Sequence, residues 1–190
     1  MSWFPKTLWD LLKGPPLPPE KGPRREREPS AKPIAPRREK DDHSERTPRR
    51  KPTMQEKYAA LIVEMKTTYG VRVRKWRSST SGCAWEVHYH DGSTARLIES
   101  PRPRGPMSCA IFLHEIGHHA IGFGRYRPRC LEEYHAWRWA LETMRQRGFN
   151  VTPAVEKRMA ESLRWAVSKG ARRGLRRIPR ELLPYVTDGE

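Results

Sequence analysis

The chain has 190 residues, enough for one domain of ordinary size with extensions and barely enough for two. Hydrophobic residues make up 36% and charged residues 32%, less apolar than an average globular domain, so part of the chain is not expected to pack into a core. The formal net charge of +16 favours contact with nucleic acid, an anionic surface or an acidic protein, and says nothing about fold.

Residues 1–13 hold a short apolar cluster: Trp3, Phe4, Leu8, Trp9, Leu11 and Leu12. They are expected to act as a docking segment for a partner or a membrane surface, or to fold back on their own domain. Residues 14–52 carry ten of the 18 prolines, many Arg and Glu, and almost no large apolar side chains. Such a stretch buries too little surface to offset the entropy of ordering, and is expected to be a disordered linker. A folded domain is expected over residues 53–168. Thr53-Met54-Gln55-Glu56 matches a capping box, and Tyr58, Leu61, Ile62, Met65 and Tyr69 follow at helical spacing up to Gly70. Three strand-like pieces come next, Val71–Arg77, Ala84–His90 and Ser93–Ile98, with Asp91-Gly92 as a hairpin signal. Pro101, Pro103, Gly105 and Pro106 form a loop. Helices are expected over Met107–Ile121, over Cys130–Arg147, and from Thr152-Pro153 to Lys169. The order is helix, three-stranded antiparallel sheet, then three helices: an α+β domain. Residues 169–190 read as a basic C-terminal tail.

His114-Glu115-Ile116-Gly117-His118 lies on the first of those three helices. Histidines at i and i+4 share a helix face, so two imidazoles can meet one zinc ion. Glu115 is placed to accept a proton from water activated there, as a general base. Gly117 and Ala120 permit close helix packing. A catalytic zinc needs a third protein ligand, and the following helix offers Glu132, Glu133 and His135. A metzincin would have Gly at 121 and His at 124; the chain has Ile121 and Gly124.

His114–His118 followed by Glu132-Glu133-Tyr134-His135-Ala136-Trp137-Arg138-Trp139-Ala140 resembles the ImmA/IrrE type of small metallopeptidase and, more loosely, the minimal gluzincin core. The resemblance covers about residues 54–145. It implies one zinc ion, Glu133 as third ligand with Glu132 and His135 as alternates, and a protein substrate. It also implies a phage or mobile-element origin and a location in the cytoplasm of a prokaryotic host. Related gluzincins often have Asp four residues after the ligand Glu; here that residue is Trp137, so another group must orient the ligand histidine.

Candidate oxyanion stabilisers are Tyr126, Tyr134, His135 and Arg138. His119 reads as a residue behind the ligands or on the surface, and His88 and His90 as ordinary strand residues. Trp137, Trp139 and Trp165 have spacings that suit core packing. Lys169, Arg172, Arg173, Arg176, Arg177 and Arg180 form a run without acids, able to track a phosphate backbone or simply to remain solvated. The alternative to an enzyme is therefore a non-catalytic zinc-containing adaptor that binds nucleic acid or an assembly through its basic ends. Cys83, Cys109 and Cys130 include no CxxC pair, which argues against a disulfide scaffold and for a reducing compartment, with Cys109 in the core. No apolar run reaches the length of a membrane span, and Pro5, Lys6 and Asp10 interrupt any signal-peptide core.

Overall fold

A computed structural model describes residues 50–186 of the chain. The docking segment 1–13 and nearly all of the linker 14–52 lie outside the described residues.

The domain opens with α1 (Met54–Tyr69). The Thr53 side chain accepts from the Glu56 amide and the Glu56 carboxylate accepts from the Thr53 amide, which closes the capping box. Gly70 stops the helix at φ 62°, a left-handed conformation that favours glycine. Tyr58, Leu61, Ile62 and Met65 form the buried stripe.

Three strands follow: β1 (Val71–Arg77), β2 (Cys83–His88) and β3 (Thr94–Pro101). β2 and β3 form the antiparallel hairpin that Asp91-Gly92 implies, with Gly92 at φ 81° and the Asp91 carboxylate accepting from the Ser93 amide. The sheet order is β1-β3-β2, and β1 runs parallel to β3. The sheet is thus mixed, whereas an all-antiparallel one was expected. A hairpin signal fixes its own two strands only. β3 is the sheet's most buried strand, with Ala95, Ile98 and Ser100 inside, and it takes the centre; the chain after β1 crosses over it to reach β2. β3 also runs three residues past its expected end.

α2 (Pro106–Ile121) packs under the sheet, and every residue from Cys109 to His119 is buried. α3 (Arg129–Gln146) crosses it closely: a Cβ on Gly117 would stand 2.8 Å from the Ala136 carbonyl oxygen. Gly117, one of the two small residues expected to permit close packing, meets Ala136 at this crossing. α4 (Pro153–Arg172) starts from the Thr152 cap and extends three residues past Lys169.

The chain beyond α4 is not a free tail. Leu175 and Ile178 pack against the core, and a 3-10 helix (Arg180–Tyr185) seats Leu182, which is fully buried, and Tyr185 against it. The arginine run hides this in the sequence, because Leu175 and Ile178 stand singly among the arginines. Each buried side chain of this kind contributes about 1.5–3 kcal/mol, enough to hold the segment down. Among the described residues no helix is long and apolar enough to cross a membrane.

Candidate metal centre

α2 delivers His114, Glu115 and His118, and α3 delivers Glu132 and Glu133. His114 Nε2 lies 3.3 Å and His118 Nε2 3.5 Å from the same oxygen, Glu133 Oε2. The three ligand atoms lie within 4.8 Å of one another, and the group could hold a metal ion. Two imidazole nitrogens from buried histidines and one carboxylate oxygen from half-buried Glu133 converge, a donor set of the kind that divalent metals take. Of the third-ligand candidates, Glu133 is the one that stands here.

Glu132 does something different. Its carboxylate is buried, with Oε1 3.3 Å from His118 Nδ1 and Oε2 accepting from the Gly124 amide at 2.8 Å. His118 Nδ1 therefore donates to Glu132, which leaves Nε2 as the ring nitrogen turned to Glu133. Glu132 thereby orients His118. Two adjacent glutamates on one helix point about 100° apart, so one faces the histidine ring's inner nitrogen and the other its outer nitrogen.

His114 is held without such a bond. Its Nδ1 is buried with no partner, and its ring stacks on Trp137 with centroids 4.3 Å apart and planes 20° apart. Stacking replaces the hydrogen bond that an Asp at 137 would accept. Trp137 is thus a core residue, as its spacing implied, and also the wall of the site.

Arg129, which the sequence did not single out, bridges both carboxylates. Its NH1 lies 2.9 Å from Glu132 Oε1 and its Nε 3.1 Å from Glu133 Oε1. Arg129 is one turn before the glutamates, at i+3 and i+4, so the pattern was present but ordinary for any helix. It holds Glu133 with Oε1 turned to Arg129 and Oε2 to the histidines.

The electrostatics follow from burial and pairing. Burial pushes the Glu115 carboxyl up to about 8, although the charges of His118 and Arg77 oppose this. Burial lowers His114, and the Glu133 hydrogen bond only partly offsets it. Burial also pulls His118 down, but its bonds to Glu132 and Glu133 outweigh that and raise it. For Glu133, burial pushes upward while the hydrogen bonds from both histidines hold the carboxyl well below its ordinary range.

The cluster opens into a cleft of about 630 Å³. One side is the β1–β2 loop, where Gly82 lies against Glu115 so closely that a Cβ there would overlap the Glu115 carboxylate. The other side is α4, which contributes Arg158, Ser162, Trp165 and Lys169. None of these cleft residues was singled out for the site in the sequence, because the loop and α4 reach it only through tertiary folding.

The remaining candidates fall elsewhere. Tyr126 and His135 stack on each other at 3.8 Å, and Tyr134 meets His135 edge-on at 5.4 Å. Tyr134 and Arg138 line a separate cavity with Glu156 and Tyr185. The structure brings none of these four to the cleft, since they occupy other faces of α3 or the loop before it. His119 is buried, and its Nε2 donates to the Leu97 carbonyl at 3.2 Å, so it ties α2 to β3. His88 is an exposed strand residue beside Thr94. Cys109 and Cys130 are buried and Cys83 half-buried, all free. Trp165 is 60% exposed, against its expected place in the core, because it faces the cleft. Arg172, Arg173, Arg176, Arg177 and Arg180 are exposed, while Lys169 is half-buried in the cleft wall.

No protein-family model matches the chain, and no curated protein and no solved structure is similar to it.

Proposed function

We propose that the protein is a zinc-dependent peptidase of the gluzincin type, similar to the ImmA/IrrE metallopeptidases, which hydrolyses peptide bonds of a protein substrate. The observation that carries this reading is the convergence of His114 Nε2 and His118 Nε2 on Glu133 Oε2, at the base of an open cleft that Glu115 also lines. A structural zinc site is closed by four protein ligands; here three converge, and they line an open cleft.

His114, His118 and Glu133 would hold the ion, with Glu132 and Arg129 fixing His118 and Glu133 behind them. Zinc, when bound, supplies a Lewis acid that polarises a substrate carbonyl and acidifies water. Glu115 is the chain's proton carrier. Its buried carboxylate takes a proton from the attacking water and delivers it to the departing amine nitrogen, so that the C–N bond breaks as water adds to the carbonyl carbon. Burial favours the protonated form of Glu115, and a bound cation nearby restores the carboxylate that this step needs. Gly82 keeps room beside that carboxylate, and Trp137 closes one wall to water.

Zinc content of the purified full chain tests the reading, measured by elemental mass spectrometry. About one zinc per chain is expected, lost with His114→Ala and weakened with Glu133→Ala. A chain that takes up no zinc on reconstitution would sink it.

One observation favours a second reading. Arg172, Arg173, Arg176, Arg177 and Arg180 are all exposed at and beyond the end of α4, a run of charge suited to phosphate and to a non-catalytic adaptor. In that case charge-reversal there, and not loss of Glu115, would remove the biological activity.

A further inference from the structure

The α4 wall of the cleft carries charge that the metal cluster does not use. Arg158, Ser162, Trp165 and Lys169 recur along one face of α4 and line the same cavity as His114, Glu115 and Glu133. Arg158 NH2 donates to the Thr80 carbonyl at 3.2 Å, which ties the helix to the β1–β2 loop, while its Nε is buried with no partner. No ion pair among the described residues involves Arg158 or Lys169. Glu161, the one acid that α4 adds to the cleft, is exposed and pairs with neither. Arg129, by contrast, is paired with both Glu132 and Glu133. Lys169 Nζ lies 4.4 Å over the centroid of the Trp165 ring, so a cation rests on one face of this exposed aromatic side chain in the cleft wall.

A half-buried guanidinium without an acid gains most from a carboxylate, whose two oxygens match its donors. Two cations, an aromatic platform and an adjacent peptidase-type cluster fit a peptide bearing one negative charge. They fit a polyphosphate chain poorly, because Glu161 stands in the same wall. Resting on the peptidase reading above, we infer that the α4 wall is a specificity surface for a carboxylate of the peptide substrate, either an acidic side chain or the C-terminus. Arg158 is the anchor, Lys169 the second cation, and Trp165 the platform for a neighbouring side chain.

The test is peptide binding to the full-length Glu115→Gln protein, titrated calorimetrically with and without zinc at physiological salt, with zinc content measured on the same samples. Three synthetic peptides of one length are compared: a capped one with a central Glu, the Gln version with a free C-terminal carboxylate, and the capped Gln version. At least one carboxylate peptide is expected to bind about 10-fold or more tighter than the neutral one, and which one does so identifies the source of the carboxylate. Arg158→Gln should remove that difference. Lys169→Gln, which breaks no tie to the loop, should reduce it. Equal affinity for all three peptides, or no binding of any, overturns the inference. So does an oligonucleotide that binds more tightly than the peptides and loses its binding in Arg158→Gln. Discrimination that persists in a protein unable to hold zinc counts against the peptidase reading alone, and zinc retained with equal affinities counts against this inference alone.

Discussion

The α2–α3 pair and the segment from α4 onward both carry dense charge, and they handle it in opposite ways. Between α2 and α3, Glu132 and Glu133 are each tied to a histidine and to Arg129, so each group there has a position. Beyond α4, the arginines stay in water, and the apolar residues between and after them do the anchoring. Buried charge is costly unless paired, and pairing fixes geometry; exposed charge costs little and specifies little. The first region is therefore built for a site, and the second for solubility, contact or both.

The strongest way to break this contrast is at Glu115. Glu115→Gln should retain zinc and lose about 10²–10⁴-fold in peptide hydrolysis, measured on any substrate the wild type cuts. Comparable cleavage by both proteins would remove the buried carboxylate from the chemistry. On the other side of the comparison, Leu182→Ala should lower unfolding stability by about 2–5 kcal/mol in denaturant titration. A loss within ~0.5 kcal/mol would mean the segment after α4 is the free tail its charges suggest.

A smaller effect separates the two glutamates. Glu132→Gln should weaken zinc binding about 10–100-fold in a chelator competition, since it loosens His118 without removing a ligand. Glu133→Gln should weaken it more; the reverse order would exchange their roles. Arg172→Gln with Arg176→Gln should change stability by no more than ~0.5 kcal/mol.

The smallest effect concerns pH. The Arg147 hydrogen bond lowers the Glu64 pKa, with burial opposing it slightly. A carboxyl lowered on folding adds stability above its unfolded pKa and loses it as pH falls through the folded value. Glu64→Gln should therefore cost about 0.2–1 kcal/mol at neutral pH, and the two proteins should converge in acid. A gap that stays constant with pH would show that the pair acts through packing.

Much of the local structure was legible in the sequence because its signals act within a few residues. The Thr53 capping box, the Asp91-Gly92 hairpin, the histidines four apart on α2 and the cap-proline start of α4 all need only helical or turn geometry. A residue such as Trp165 was misplaced because helical spacing says that a side chain shares a face, and not whether that face meets a core or a cleft.

By itself, then, the sequence determined the α+β order, the His114–His118 face with Glu115 beside it, and the short list of third ligands on the next helix. Tertiary structure alone decided that Glu133 faces both histidines while Glu132 backs His118, that Trp137 stacks on His114, and that β1 runs parallel to β3. It also decided that Arg158 and Lys169 reach the cleft. Each of these depends on how two separate elements are set against each other, through the close crossing at Gly117 and Ala136 for α2 and α3 and through the packing of the whole core for the rest.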